Sequence, residues 1–137
     1  MKRWRIKSVR SWTMKKCKYF AESEFKRCDP PCSMQDMDAG FLALLDEVRE
    51  RAGIPLVLNC AYRSIAHDKA KGRTGYSAHC SGMAVDIRCL NSGTRWKIIR
   101  AALACGITRI GVGKTFVHID VGERKGLPPC VIWDYYN

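Results

Sequence analysis

The sequence predicts an α+β fold in which helices pack against a small, mostly antiparallel sheet. Two segments, residues 37–52 and 94–105, repeat their apolar residues at the spacing of a helix that buries one face. Short runs of β-branched and apolar residues elsewhere are typical of strands, and two of them are joined through Gly113-Lys114 in the pattern of a hairpin. With 137 residues, the chain is long enough for one domain to bury a core without disulfides or metal ions.

The first predicted helix follows Ser33 and ends at Gly53, a common helix terminator. Its apolar face consists of Met37, Phe41, Leu44, Leu45, Val48 and Ala52. Residues 54–60 are apolar and β-branched and are predicted as a strand, which Pro55 places near a sheet edge or at its own first residues. The polar stretch that follows, up to Tyr76, indicates a short helix and a long loop, and such loops are often functional.

The second half of the chain contains the other strands and the second helix. Residues 84–89, 109–112 and 116–121 are predicted as strands, the last two forming the hairpin. The helix over residues 94–105 has Ser92 as its cap and Gly106 as its terminator. Residues 126–137 include two prolines and four aromatic or acidic residues at 133–136, and this tail is too aromatic to be only solvated.

The positive charge is concentrated at the amino terminus. The net charge is +11, and residues 1–20 hold eight Lys or Arg without an acid, whereas residues 21–137 carry 16 basic and 13 acidic side chains. We therefore expect residues 1–18 to form a basic, flexible tail with a weak attraction to polyanions, and residues 19–137 to form the single domain. The tail offers no aromatic platform or groove-reading helix, so no specific binding of nucleic acid is expected.

The sequence has no apolar run of the length that a signal peptide or a membrane span needs. It predicts a soluble protein made in the cytoplasm, where its eight cysteines stay reduced. Four of them have small or apolar neighbours and are predicted as small hydrophobic residues: Cys60, Cys80, Cys89 and Cys105. Cys28 and Cys32 flank a polar turn and are candidates for a second metal site, although a tetrahedral site needs four ligands and no matching pair is visible.

A candidate site for metal chemistry lies in residues 77–86. His79 and Asp86, seven residues apart, cannot be neighbours on one helix face, but Gly82 lets the chain turn back so that both can meet at one ion. His118 on the last predicted strand is the third candidate, and two imidazoles with one carboxylate leave a position open for water on a catalytic zinc. Hydrogen-bonded core histidines and a turn-anchoring aspartate explain the same spacing, so both interpretations stay open.

The chain resembles the M15 metallopeptidases, zinc D-alanyl-D-alanine carboxypeptidases and phage endolysin peptidases that share a fold with the amino-terminal domain of Hedgehog proteins. The resemblance is carried by Ser77-x-His79-x-x-Gly82-x-Ala84-x-Asp86 and by His118 within Phe116-Val117-His118-Ile119-Asp120-Val121-Gly122. Further features resemble the phage-encoded branch: Tyr19-Phe20, Ser23-Glu24-Phe25, the helix at 37–52, Ile54-Pro55, Tyr62-Arg63-Ser64 and Trp133. Together they cover residues 17 to 136.

The resemblance implies one catalytic Zn²⁺ ion held by His79, Asp86 and His118. It further implies hydrolysis of peptide bonds in bacterial peptidoglycan stem peptides, as a D,D-carboxypeptidase or an endolysin-like endopeptidase acting as a monomer on the cell wall. Arg63 matches a substrate-facing arginine of the family, which can hold a carboxylate or a developing oxyanion. Ser77 can hydrogen-bond near the ligands and the substrate.

The general base is where the chain departs from the pattern. Many relatives place an acid three residues before the last histidine ligand, but this chain has Thr115 there, and threonine cannot accept a proton from water. Asp120 lies two residues after His118, so on a strand it points to the same face. It is the candidate base, or else a partner that orients His118. His67 and Glu123 are weaker candidates for the base.

Three other functions compete with the peptidase. A zinc-binding interaction module of the same fold that has lost hydrolysis fits the missing acid at position 115. A nucleic-acid binder would depend on the basic tail alone. A cysteine peptidase would use Cys80 beside His79, but adjacent residues on an extended segment point apart, which makes them a poor nucleophile and base.

Overall fold

Four α-helices and five β-strands form the part of the chain that the computed structural model describes, residues 14–136. The helices are α1 (Glu22–Lys26), α2 (Ala39–Ala52), α3 (Ile65–Ala70) and α4 (Ser92–Ala104). The strands are β1 (Leu58–Cys60), β2 (Ala84–Arg88), β3 (Arg109–Val112), β4 (Phe116–Asp120) and β5 (Val131–Asp134). Short 3₁₀ turns lie at Met34–Asp36, Ala78–Ser81 and Gly122–Lys125.

The two long helices occupy the predicted places, with boundaries set by their caps. Helix α2 begins two residues later than predicted because the Asp38 carboxylate accepts a hydrogen bond from the Phe41 N–H at 2.9 Å, while Met37 before it is extended. Gly53 ends it in the left-handed conformation (φ 69°). Helix α4 is capped by Asn91 rather than the predicted Ser92, since Asn91 Oδ1 accepts from the Thr94 N–H at 2.8 Å.

The strands form one sheet in the order β1-β2-β4-β3-β5. The first three pairings are antiparallel and β3–β5 is parallel, so the predicted mostly antiparallel sheet of an α+β fold is confirmed. The β3–β4 hairpin is also present, closed by a 2.9 Å hydrogen bond from the Gly113 N–H to the Phe116 carbonyl. Strand β1 is shorter than residues 54–60, because Pro55 has no N–H to give to a ladder.

Strand β5 lies within residues 126–137. The aromatic residues of this segment indicated that it is not only solvated, but they did not predict a strand. Strand β5 extends the sheet by pairing Arg109 with Val131 and Gly111 with Trp133. A parallel partner is brought in by a long connection rather than a tight turn, and therefore leaves no local hairpin signal in the sequence. The strand matters for the site because it carries Trp133 to the cleft described below.

The core lies between the sheet and helices α2 and α4. Its largest fully buried side chains include Phe25, Met37, Phe41, Leu42, Leu45, Ile87, Ile98, Ile110 and Ile119. Cys28 and Cys32 belong to this core, where the Cys28 thiol lies 3.4 Å from the Glu24 carbonyl and the Cys32 thiol 3.7 Å from the Phe25 carbonyl. Within residues 14–136, these two cysteines are not part of a group of three metal-ligating side chains.

Part of the predicted tail is packed on the domain. The Lys15 ammonium donates to the Met37 carbonyl at 2.7 Å, and the Lys18 N–H donates to the Asp46 carboxylate at 2.7 Å. Lys15 and Lys18 thus have hydrogen-bond partners on and before α2, and the division at residue 18 stays a prediction. Residues 1–13 lie outside the described residues. Within the described part, no helix has the length and apolar character needed to cross a bilayer.

Candidate metal centre

Asp86 and His118 face each other across two neighbouring strands. On β2, Val85 and Ile87 are fully buried in the core, so the alternation of a strand points Asp86 to the opposite face of the sheet. The same alternation on β4 puts His118 on that face, and the β2–β4 register pairs the two residues directly. As a result His118 Nδ1 lies 2.9 Å from Asp86 Oδ1.

His79 reaches the same carboxylate oxygen from a 3₁₀ turn. Gly82 ends this turn at φ 68°, and a Cβ there would lie 2.5 Å from the Asp36 carbonyl oxygen, so only glycine fits. The turn is tied back by a hydrogen bond from the Arg63 N–H to the His79 carbonyl at 3.2 Å. His79 Nε2 lies 3.4 Å from Asp86 Oδ1, which brings the three predicted ligands together.

The other nitrogen of each imidazole is already occupied. His79 Nδ1 is 2.6 Å from the Ala61 carbonyl oxygen, which can only accept, so this nitrogen carries a proton. His118 Nε2 donates in the same way to Asp120 Oδ2 at 2.5 Å. In the neutral rings, the lone pairs are then on His79 Nε2 and His118 Nδ1, the two atoms that point at Asp86. Three acceptors that meet at one place, each ring held by a further hydrogen bond, fit a metal ion.

The electrostatics of the three groups agree with a site for a cation. Burial alone would lower the pKa of His118, but hydrogen bonds to Asp120 and Asp86 raise it to about 9. Burial would raise the pKa of Asp86, and the two imidazoles outweigh it and hold this pKa far below its ordinary value. A divalent cation beside Asp86 would take the place of a proton on His118, because metal binding to imidazole competes with protonation.

Cys60 is a neighbour of the centre that the sequence did not indicate. The ligand atoms of Cys60, His79 and Asp86 all lie within 4.8 Å of one another, and Cys60 is buried. Its sulfur lies 3.8 Å from His79 Nδ1, the nitrogen that donates to the Ala61 carbonyl, and 3.6 Å from an Arg63 nitrogen. Its position at the end of β1, opposite Asp86 in the register, could have been found only from the strand pairing.

Asp120 is 1% exposed, and both of its carboxylate oxygens have partners. One oxygen accepts from His118, and the other accepts from Arg109 Nε at 2.6 Å and from the Gly122 N–H at 2.7 Å. These hydrogen bonds outweigh the effect of burial and lower the pKa of Asp120. Of the two roles predicted from the sequence, this geometry favours orientation of His118.

Arg63 lines the cleft, and its guanidinium is held by the buried carboxylate of Asp68. Its Nε donates to Asp68 Oδ1 at 2.9 Å, and Asp68 is fully buried on α3. Asp68 also accepts from the Ser77 hydroxyl at 3.1 Å and from the Gly75 N–H at 2.9 Å. Asp68 was not predicted, because a single acid in a short polar helix has no distinctive signal. It links Arg63, Ser77 and the loop before His79 into one unit.

The centre opens into a cleft with a volume of about 240 Å³. Its charged and polar walls consist of Arg63, Arg73, Ser77, His79, Asp86, Arg109, His118 and Asp120, and its apolar walls of Ala78, Phe116, Leu127, Trp133 and Tyr135. The centroid of the Trp133 ring lies 5.4 Å from the centroid of the His118 ring and 5.2 Å from the guanidinium carbon of Arg109. Trp133 therefore covers one side of His118.

The remaining sequence candidates are not part of this cleft. Thr115 is exposed, and neither His67 nor Glu123 is among the lining residues. The imidazole Nε2 of His67 and one carboxylate oxygen of Glu123 are buried without a hydrogen-bond partner among the described residues. Cys80 lies outside the lining too, with its sulfur 3.7 Å from the Ser77 hydroxyl. Asp86 and Asp120 are thus the acids that the described residues contribute to the cleft.

A carboxylate between two imidazoles at the base of a cleft is the kind of site with which hydrolases hold a catalytic metal. The family model described as Peptidase M15 matches residues 18–120, which include all three converging side chains. The chain belongs to the Peptidase M15 family and is a peptidase, as its sequence motif indicated.

Among the curated proteins, none matches this chain. Among the solved structures, the chain is similar to the L-Ala D-Glu endopeptidase ChiX of Serratia marcescens, with 19% sequence identity and a TM-score of 0.49. That similarity covers 74% of this chain and 90% of ChiX.

Proposed function

We propose that this protein is a zinc-dependent peptidase that hydrolyses peptide bonds in bacterial peptidoglycan stem peptides. The observation that carries the proposal is the convergence of His79 Nε2 and His118 Nδ1 on Asp86 Oδ1, with the opposite nitrogen of each ring engaged elsewhere. Membership of the Peptidase M15 family supports the reaction, and the likeness to the zinc enzymes of that family supports the metal and the substrate.

The residues present would hold one zinc ion through His79, Asp86 and His118. When bound there, zinc supplies an activated water and a Lewis acid for the peptide carbonyl. Asp120 acts as a positioning residue in this proposal, because its hydrogen bond keeps the proton on His118 Nε2 and leaves Nδ1 free for the ion. Three hydrogen bonds already use most of the acceptor positions of its carboxylate, which disfavours a role as general base.

Arg63 is the proposed contact to the substrate. Asp68 holds Nε, so the terminal nitrogens of the guanidinium can donate to a peptide carbonyl or a carboxylate that enters the cleft. Ser77 donates to Asp68, which makes it a support of Arg63 at the substrate side of the cleft. Trp133 excludes water from one side of His118 and gives the peptide an apolar wall.

Two details of the proposal concern the substrate bond and the biological setting. Both a D,D-carboxypeptidase and an endopeptidase activity are consistent with an open cleft of this size. ChiX is described as an L-Ala D-Glu endopeptidase, so the bond between L-Ala and D-Glu should be assayed as well. The likeness to the phage-encoded branch suggests an endolysin-like monomer that acts on the wall of a phage-infected cell.

Digestion of purified peptidoglycan tests the proposal. The zinc-loaded protein should release new amine termini, and mass spectrometry of the fragments should assign them to a single type of stem-peptide bond. A chelator should abolish the release, and added zinc should restore it. The matched variants are His118→Ala, which removes a ligand, and His67→Ala, which removes a histidine outside the cleft and should keep activity.

A non-catalytic zinc-binding module is the second candidate, because both acids of the cleft are already engaged by the imidazoles and by Arg109. The same digestion separates the two candidates. If the zinc-loaded protein binds peptidoglycan and leaves no new amine termini, the binding module is the correct function and the peptidase is not.

A further inference from the structure

The charges around the cleft are not balanced. Three guanidinium groups line it, those of Arg63, Arg73 and Arg109. Arg63 is paired with Asp68 and Arg109 with Asp120, at 2.9 and 2.6 Å. Arg73 forms no ion pair with any carboxylate of residues 14–136. The positive charge of the divalent ion in the proposed function would exceed the single negative charge of Asp86. Arg73 would therefore add positive charge to a cleft that is already positive.

The backbone that carries Arg73 is anchored, although its side chain is exposed. The Arg73 N–H donates to the Asp68 carbonyl at 3.1 Å, and two residues later the Gly75 N–H donates to the Asp68 carboxylate at 2.9 Å. The same carboxylate fixes Arg63. Asp68 therefore holds the guanidinium of Arg63 and the backbone of Arg73.

Two aromatic side chains line the same cleft as this guanidinium, those of Trp133 and Tyr135. Tyr135 lines the cleft with Arg73, and its ring lies 6.4 Å from the Trp133 ring, centroid to centroid. Burial raises the pKa of Tyr135, while the charge of Arg73 acts in the opposite direction, as expected for groups within electrostatic reach. A ligand in the cleft thus has aromatic surface and a guanidinium without an ion-pair partner among the described residues available to it.

We propose that Arg73 forms a carboxylate subsite, and that the preferred substrate has a free carboxylate on the residue next to the bond that is cut. This inference rests on the proposed peptidase function and names the chemical class of its substrate. A guanidinium fork binds a carboxylate through two parallel hydrogen bonds, a contact that a carboxamide cannot reproduce. The subsite would select acidic stem peptides over amidated ones.

A pair of synthetic stem peptides tests this subsite. The two peptides differ only in that the acidic residue beside the bond is a carboxylate in one and a carboxamide in the other. The wild-type protein should prefer the carboxylate by about tenfold in kcat/KM, mainly through KM, as expected for one charge-assisted contact. Arg73→Ala should lower kcat/KM for the carboxylate peptide to that for the carboxamide peptide. Arg73→Lys should keep part of the preference for the carboxylate peptide.

Lys71→Ala is the matched control, because it removes one exposed positive charge from the same loop at a residue that does not line the cleft. It should keep the full preference. Equal rates of wild type on the two peptides would overturn the subsite, as would an equal loss on both peptides in Arg73→Ala.

Calorimetric titration with the same two peptides makes the subsite testable apart from catalysis. If neither peptide is cut, the peptidase proposal fails, but tighter binding of the carboxylate peptide that Arg73→Ala abolishes still supports the subsite. Equal affinity of the wild-type protein for both peptides in this titration would refute it.

Discussion

At the scale of single residues, the contact between Asp120 and His118 determines which nitrogen of the imidazole faces the metal centre. Asp120→Asn replaces the acceptor at His118 Nε2 with an amide, and we expect zinc affinity to fall by about 10- to 100-fold. Competition with a chromophoric chelator measures this. Asp134→Asn, an exposed change of the same type on β5, should leave the affinity unchanged.

The same variant separates the two roles predicted for Asp120. A general base can be lost without losing the ion. If Asp120→Asn kept full zinc affinity and lost hydrolysis, Asp120 would be the base and its positioning role would be incorrect.

Asp68 is the residue whose loss should cost most stability outside the core. Asp68→Asn leaves the buried Arg63 guanidinium without its counter-charge, and breaking such a pair costs about 3 kcal/mol of the free energy of unfolding. Urea denaturation at pH 7 measures it. Asp29→Asn, an exposed change, is the control and should alter the stability little.

The pH dependence of this contribution follows from the pKa of Asp68. Burial would raise this pKa, but hydrogen bonds from Gly75, Ser77 and Arg63 lower it below the ordinary 3.8. The ionised form thus stabilises the fold above about pH 4, and the contribution is lost as pH falls through the lowered pKa. Wild type should lose more stability than Asp68→Asn between pH 5 and pH 2.5. An equal loss in both proteins would contradict this assignment.

Single residues also show what the sequence can reveal about the site. His79 and Asp86 could be predicted as partners because a motif with a glycine turn connects them within a short segment. The role of Asp68 could not, because it depends on α3 packing behind the cleft. Cys60 was predicted as a small hydrophobic residue, and only the β1–β2 pairing brings its thiol next to His79 and Asp86.

At the scale of elements, β5 depends on a close approach at Gly111. A Cβ on Gly111 would lie 2.7 Å from both Trp133 Nε1 and Tyr135 Cε2, atoms of the aromatic wall. Gly111→Ala should therefore push β5 off β3 and lower the free energy of unfolding by about 1 to 3 kcal/mol. Urea denaturation followed by tryptophan fluorescence measures this.

Gly93→Ala is the control for the same change in chemistry. Its Cβ would meet only Asn91 Oδ1, at an ordinary 3.5 Å, and alanine is the better helix former in α4. This variant should be neutral or slightly stabilising. If Gly111→Ala were as stable as Gly93→Ala, the packing of Trp133 and Tyr135 against β3 would have to be revised.

The elements differ in how far the sequence predicts them. Helices α2 and α4 and the β3–β4 hairpin have local signals, namely apolar spacing, caps and a short turn, and they lie where predicted within a few residues. Strand β5 has no local partner. The register that pairs Asp86 with His118 is likewise a property of the sheet, because it depends on how β2 and β4 align across the intervening helix.

At the scale of the whole molecule, the centre joins parts of the chain that are distant in sequence. A 3₁₀ turn supplies His79, β2 supplies Asp86 and β4 supplies His118, while β5 covers the last of these with Trp133. Such a site exists only in the folded protein, so a zinc ion held there would bind the native state and should stabilise it by mass action. The sequence motif alone cannot predict this arrangement, because it specifies neither the order of the strands in the sheet nor the position of Trp133 over His118.

The most direct test of the metal centre is the zinc content of the purified protein and its single variants by mass spectrometry. We predict one ion per chain in the wild type, and a loss of the ion in His79→Ala, Asp86→Ala and His118→Ala. His67→Ala and Cys60→Ser should both keep it. A wild type that binds no zinc, or ligand variants that retain a full equivalent while Cys60→Ser loses it, would contradict the metal centre described here.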